Sequence, residues 1–348
     1  MFTDAEVHIE HATDDTAAEW DGFVAAAPGA SLYHRYRWRE IVREVFGRET
    51  HYLAARVGGR IAGVLPLVRL KSFLFGDFLV SMPYFNYGGI VAESEAVSGR
   101  LLEQCGALAH SLGVLHAELR HRTPAFPALP CRTDKVTMLL DLPADSQVLW
   151  QSSGSKVRAQ VKRPQREGAT CEHGGAEHLA DFYAVFAENM RDLGTPVYPR
   201  HFFSAILAAF PDAARLFVVR HAGAPVAAAF VIGDGRTLEI PWASSLRRAN
   251  AIGVNMLLYW NILEYACKSG YGVFDFGRST EGSGPYHFKK QWGAEPHQLY
   301  WHYWLRDGGE LPKLNPSNPR YDTAIAVWRR LPLAVTNRLG PLLVRNLP

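Results

Sequence analysis

Cysteine is scarce: Cys105, Cys131, Cys171 and Cys267 are the only four, and none forms a CxxC spacing. The fourteen histidines show neither HExxH nor another clustered ligand pattern, so the cysteines read as structural thiols and no metal is expected. No GxSxG elbow occurs, which removes support for a hydrolase of that type. Long hydrophobic runs are missing as well. The most apolar stretch, Phe73 to Phe85, is interrupted by Asp77 and Pro83 and is too short to span a bilayer. The opening MFTDAEVHIEHATDD is acidic and has neither the basic nor the apolar region of a secretory signal, so a cytoplasmic protein is expected. Charge of one sign is also in short supply. Thirty-seven basic against 34 acidic side chains leave a formal net charge of +3, a weak lean toward anionic partners that does not make a nucleic-acid binder. What is present is an ordinary globular balance, 48% hydrophobic and 20% charged. The 348 residues allow two domains with separate cores.

The most informative segment is FDFGRSTEGSGPYHFKKQWGAE, from Phe274 to Glu295. Period-2 alternation makes Val273 to Phe276 a strand, with Phe274 and Phe276 on one face and Asp275 on the other. Gly277, Gly282, Gly284 and Pro285 follow closely, so neither helix nor sheet is expected to persist and the loop reads as irregular. It carries Arg278, Ser279, Thr280, Glu281, Tyr286, His287, Lys289 and Lys290, more functional groups than a connecting turn needs. An ordinary solvated loop with a basic end is the alternative.

The chain also repeats. YLAARVGGRIAGVLPLV from Tyr52 aligns with LFVVRHAGAPVAAAFVI from Leu216, pairing Arg56 with Arg220 and Gly59 with Gly223, each copy a β-hairpin. Upstream, LYHRYRWREIV from Leu32 aligns with VYPRHFFSAIL from Val197, pairing Tyr33 with Tyr198 and Arg35 with Arg200. Downstream, ALAHSLGVLHAEL from Ala107 aligns with EYACKSGYGVFDF from Glu264, pairing Gly113 with Gly270 and Glu118 with Asp275. Three blocks in one order at nearly constant separation predict a duplicated unit of helix, hairpin, strand, helix and strand. The halves diverge after Leu119, where the first continues into the proline-broken HRTPAFPALP and carries no lysine motif.

An apolar strand ending in FDFG, a glycine-rich loop and then Y-x-F-K-x-x-W-G resembles the C-terminal half of FemAB-like transferases in the GNAT acyltransferase superfamily, in particular the FemAB-like proteins of PEP-CTERM and exopolysaccharide systems. The likeness is most specific from Trp242 to Trp304. It implies an α/β fold of tandem duplicated GNAT-like domains, each a mixed central sheet flanked by helices. The expected limits are 1–143 and 144–308, with a short helical tail over 309–348. It also places Lys289 of the F-K motif in the substrate site.

Other segments carry candidate chemistry. Thr237 to Trp242 reads as a strand, 243–253 as a loop, and Val254 to Lys268 as a helix ended by Gly270. That helix is apolar except for Asn261, Glu264 and Lys268, so it is expected between layers. In the GNAT fold the acyl-CoA pyrophosphate sits at this helix's N-terminus, which makes Arg247, Arg248 and Gly253 candidate donor or anion ligands. The usual Q/R-x-x-G-x-G/A signature is missing, however, since SSLRRANAIGVN offers one glycine. Two solvated arginines on a loop are the alternative. The FNYGG run offers Asn86 and Tyr87 as a pocket wall, or as plain core. Lys156 to Arg166 forms a basic helix that Pro164 should end or kink near Arg163, suited to a phosphate-bearing ligand or simply to solubility. Two apolar-basic helices, Tyr321 to Leu331 and Leu333 to Leu343, with Arg320 before them, suit either peripheral membrane contact or packing against the body.

Together these point to acyl or aminoacyl transfer onto an amine of a cell-envelope or exopolysaccharide precursor. The donor is acyl-CoA or aminoacyl-tRNA used as substrate, with no tightly bound cofactor, and the acceptor a small-molecule or lipid-linked saccharide or peptide. Lys289 is the candidate for charge stabilisation, Tyr286 for orientation or proton transfer, and Asp275 for a general base or a loop pin. Trp242, Arg278, Ser279, Glu281 and His287 complete the candidate substrate contacts. A degenerate tandem GNAT that binds a sugar or peptide precursor without catalysis is the competing class.

Overall fold

Each half of the chain is organised around one apolar hairpin whose two central residues take left-handed backbone, as a two-residue hairpin turn requires. They are Gly58 and Gly59 in the first half (φ 57° and 84°) and Ala222 and Gly223 in the second (φ 50° and 78°). The protein is described here by a computed structural model covering residues 7–73, 75–312 and 322–347. Its described residues divide into one unit of 7–135, 298–312 and 345–347 and another of 136–297 and 322–344.

The first unit contains β1 (His8–His11), α1 (Ala17–Ala26), α2 (Arg37–Phe46), β2 (Glu49–Val57), β3 (Arg60–Ser72), β4 (Gly76–Ser81), β5 (Val91–Ala92), α3 (Glu95–Ser111), β6 (His116–His121) and β7 (Cys131–Arg132). The second follows with β8 (Val136–Asp141), α4 (Ser146–Ser152), α5 (Ser155–Arg166), β9 (Thr170–Gly174), α6 (Leu179–Leu193), α7 (Arg200–Ala209), β10 (Ala214–His221), β11 (Ala224–Asp234), β12 (Thr237–Ser245), α8 (Val254–Lys268), β13 (Val273–Ser279), α9 (Gly284–Lys290) and β14 (Glu295–Gln298). The chain then adds β15 (Tyr300–Leu305) to the first unit's sheet and ends in α10 (Asp322–Trp328) and α11 (Leu333–Val344).

The two sheets have the same strand order. The first runs β1-β2-β3-β4-β6-β15-β7, and the second, read the same way, β9-β10-β11-β12-β13-β8-β14. In each, the equivalent pair, β4 with β6 or β12 with β13, is parallel. The duplication extends to single residues. The β2–β3 pairing shifts register between Ala55 and Arg56, and the β10–β11 pairing shifts between Val219 and Arg220, the equivalent positions. Arg56 binds Glu10 of β1 (2.6 Å) and Glu19 in the first turn of α1 (2.8 Å). Arg220 likewise binds Glu172 of β9 (3.3 Å) and Asp181 in the first turn of α6. Gly113 and Gly270 close α3 and α8 in left-handed conformation (φ 69° and 81°), each followed by a residue that bonds back to the helix, Val114 to Ala109 and Tyr271 to Ala266.

Strand exchange accounts for the unit limits. β8 precedes the second unit's hairpin yet completes its sheet against β13, while β15 follows the second unit yet pairs with β6 of the first. Residues 298–308, counted with the second domain from sequence, therefore group with the first unit, whose sheet takes Tyr300–Leu305.

Three local expectations are corrected. β13 runs on through Gly277 to Ser279, because the left-handed Gly277 (φ 73°) forms a bulge that lets pairing with β8 resume at Arg278. Nor is the following loop irregular throughout: Ser283 caps α9, and Pro285 sits in its first turn, where a missing N–H costs nothing. The helix α5 does not end near Arg163. It continues through Pro164 to Arg166, and Ala169 N–H caps the Pro164 carbonyl (2.9 Å). By contrast α8 has the expected limits and is buried along most of its length, inside the second unit's core with Phe274 and Phe276. Of the expected tail helix Tyr321 to Leu331, Asp322–Trp328 is helical, and Arg320 and Tyr321 lie outside the described residues.

Candidate active site

The parallel strands β12 and β13 pair over only three positions, ending at Glu239 opposite Asp275, and both strands then continue unpaired to each other. Residues facing each other in register project from the same face, so two carboxylates sit side by side where the strands part. Both are buried. Asp275 accepts hydrogen bonds from Thr137 Oγ1 (2.7 Å) and from Gly277 N–H (2.8 Å), the second fixing the bulge.

Lys289 reaches this point from α9. Its Nζ donates to the carbonyls of Gly277 and Arg278, both at 2.9 Å, and the side chain is buried. Burial pulls its pKa down to about 8; Asp275 and Glu239 oppose that shift and Arg278 adds to it. Of three ammonium protons, two are used on carbonyls and one is left for an acceptor. Ser279, also buried, has an Oγ with no hydrogen-bond partner. The β13 terminus thus collects two carboxylates, an ammonium group and two hydroxyls in a desolvated position, an arrangement able to orient a polar substrate and stabilise developing negative charge.

The remaining candidates are dispersed around that cluster. Arg278, Glu281 and His287 are exposed, and Tyr286 is half-buried against the core with Lys290 over its ring at 5.7 Å. Trp242 is part of an aromatic cluster with Tyr198, Phe202, Phe203 and Phe230, its ring centroids 5.1 to 5.9 Å from theirs. Before α8, Arg248 is paired with Glu188 and Arg247 donates to the Asp192 carbonyl (2.7 Å). Gly253 (φ 81°) makes the left-handed entry to α8, and a Cβ there would meet the Gln160 carbonyl at 3.7 Å. That carbonyl lacks its helical partner because Pro164 has no N–H.

Asn86 and Tyr87 belong to the first unit. Tyr87 is buried beneath the Arg122 guanidinium (5.0 Å), and Asn86 is half-buried. The glycines after them allow close approach, although the approaching group is the protein's own: a Cβ on Gly89 would lie 2.4 Å from the His121 ring. At the position equivalent to Asp275 the first unit has Glu118, buried and bound to Arg120 (2.7 Å) and to the Tyr303 hydroxyl (2.6 Å). Among the described residues no group of His, Cys, Asp or Glu is arranged to hold a metal ion.

Glu239 and Thr137 were missed from sequence. A signal for Glu239 existed, since it is the lone acid between the core-facing Leu238 and Ile240. None existed for Thr137, because β8 joins β13 across a long stretch of chain.

Residues 155–290 match the family described as Acetyltransferase (GNAT) domain. No curated protein sequence matches the chain. Among solved structures, FemX is similar at a TM-score of 0.67 and 15% identity, covering 84% of this chain and 96% of that one. The C-terminal domain of an Agrobacterium fabrum protein named as a lysylphosphatidylglycerol synthetase is similar at a TM-score of 0.56 and 15% identity, over 82% and 92%. A tandem GNAT protein from the clavulanic acid biosynthesis pathway is similar at 0.52 and 14% identity, over 88% and 100%. Equal strand orders, repeated bulges and these likenesses give the chain a tandem GNAT fold of the FemAB-like kind.

Proposed function

We propose that the second unit transfers an acyl or aminoacyl group from a thioester or ester donor to an amine on a cell-envelope or exopolysaccharide precursor. Lys289 carries this reading: a desolvated ammonium group, held by the carbonyls of Gly277 and Arg278 beside Asp275 and Glu239, in one of two otherwise equivalent units. The acceptor nitrogen attacks the donor carbonyl, the new C–N bond forms, and the C–S or C–O bond breaks from a tetrahedral intermediate. The third Lys289 proton, with the buried Ser279 hydroxyl, stabilises the oxyanion. The amine proton passes to a carboxylate or to the departing thiolate or alkoxide. Asp275, with its Oδ1 occupied by Thr137 and Gly277, suits the role of pin, and Glu239 that of proton acceptor. The exposed Arg278, Glu281 and His287, and Tyr286 beside them, form the rim that meets the acceptor. Acyl-CoA and aminoacyl-tRNA are the two donor classes. The 3-10 segment Arg247–Ile252, whose arginines are engaged with α6, favours the second over a glycine-rich pyrophosphate loop.

Incubation of the full chain with acyl-CoAs or charged tRNA and nucleotide-sugar or lipid-linked precursors, followed by mass spectrometry, tests the reaction. A donor-dependent product that disappears in a folded Lys289→Ala variant is expected. Thermal stabilisation by an acceptor with no product from either donor class would instead make the protein a precursor-binding module.

A further inference from the structure

The helix α11 is apolar on two faces, and only one is used within its unit. Thr336, Gly340 and Val344, each a turn apart, face inward, and Gly340 comes so near Val197 that a Cβ would lie 2.8 Å from its backbone nitrogen. Turned outward are Val335 (37% exposed) and Leu339 (42%), with Arg338 between them. The preceding α10 adds Val327 at 55%, and Arg329 donates to the carbonyl of Leu193 (3.1 Å), itself 51% exposed. With Leu342, also exposed, five large apolar side chains are thus presented to water around two short helices. The charges among them are of one sign: over residues 322–344 Arg329, Arg330 and Arg338 face a single acid, Asp322. The nearest acids of α6 do not balance them, because Asp192 is bound to Arg191 and Glu188 to Arg248.

We propose that the α10–α11 face docks on an anionic lipid surface, Val327, Val335, Leu339 and Leu193 entering the headgroup boundary while the arginines bind lipid phosphates. Apolar side chains interleaved with arginines suit that boundary. A second copy of the chain fits poorly, since two such faces would bring six arginines together.

The test uses the full chain in flotation with phosphatidylcholine vesicles and with vesicles also containing phosphatidylglycerol. Binding is expected only to the second, weakening as salt is raised. Val335→Glu with Leu339→Glu should abolish it, with an unchanged circular dichroism melt. Arg330→Ala with Arg338→Ala should lower the partition coefficient by roughly thirtyfold at low salt, from about 1 kcal/mol per arginine. Failure to float with anionic vesicles, or flotation unaffected by the glutamates, overturns the proposal. So does a dimer in light scattering that Leu339→Glu dissociates, which would assign the face to a second copy. No outcome depends on the transfer reaction.

Discussion

The two units place a carboxylate at the same point of the same sheet and surround it differently. In the first, Glu118 on β6 is satisfied from within: Arg120 pairs with it, Tyr303 of the exchanged strand β15 donates to it, and the Arg120 guanidinium lies over Trp301 at 4.3 Å. Burial pushes this carboxyl upward, and the Arg120 charge together with those hydrogen bonds outweighs it and holds the pKa below the usual range. In the second, β13 replaces the arginine position with Gly277 and lets a lysine arrive from α9. Glu239 stands where the first unit has the apolar Val80. A buried ion pair closed on itself serves shape, whereas an ammonium spread over two carbonyls and two carboxylates keeps a proton to offer. Equal folds therefore host unequal chemistry, and the difference lies in a handful of side chains at one strand end.

The largest expected effect comes from opening the first unit's pair. Arg120→Met leaves Glu118 buried without its counter-charge and should cost about 3–5 kcal/mol in denaturant unfolding. Transfer activity per folded molecule should survive, and its loss would break the division into a structural and a chemical half. In the second unit, Lys289→Ala should reduce turnover by about 10²–10³-fold, equivalent to about 2.7–4 kcal/mol of transition-state stabilisation. Because the ammonium form is required, wild-type activity should fall as pH rises through about 8. A rate that stays flat to pH 9.5, as a rough upper probe, would remove Lys289 from the reacting charge.

Acid should separate the units next. His34, His116 and His121 are buried in the first unit, and burial, before any other cause, holds them near 4, 4 and 3 respectively. Ile90 N–H donates to His121 Nε2 (2.9 Å), so His121 Nδ1 carries the proton shared with His302 Nδ1 (3.1 Å); a further proton on His121 would cost the Ile90 bond, and one on His302 Nδ1 the bond between the rings. Above pH 6.5 these rings are neutral in both states and their contribution is intact. As pH falls from 6.5 toward 4 the unfolded chain takes up protons that the folded one refuses, and stability drops by about 1.4 kcal/mol per pH unit for each such histidine. Hydrogen exchange at pH 5 should show peptides of the first unit deprotected before those of the second; simultaneous loss would contradict it. The smallest effect sharpens the equivalence itself. Arg56→Ala and Arg220→Ala remove matching, partly exposed ion-pair triads, and each should cost at most about 1 kcal/mol. Melting shifts of very different size would show the triads to be alike in form only.

Legibility in the sequence followed locality. The hairpins at Tyr52 and Leu216 declared themselves through apolar runs around glycine, and α8 through an uninterrupted apolar stretch ended by Gly270, because such elements are specified by neighbours a few residues apart. Lys289 and Asp275 were legible because they share one segment. Glu239, Thr137 and the assignment of Trp242 to an aromatic cluster were not, since each depends on which strand lies alongside. Pro164 and Pro285 misled in the same way: the conformational cost of a proline depends on its place in the helix and on what meets the carbonyl it leaves open.

By itself, then, the amino-acid sequence determined that this protein is built twice from one hairpin-centred unit and that only the second copy carries the glycine-rich segment with Tyr286 and Lys289, because periodicity, turn chemistry and repetition are properties of consecutive residues. Only the tertiary structure decided which sheet takes β8 and which takes β15, that Glu118 is closed on Arg120 while Asp275 meets Glu239 and Lys289, and which face of α11 is left to solvent. Strand pairing and burial are set by segments far apart in the chain, whose meeting no local pattern encodes.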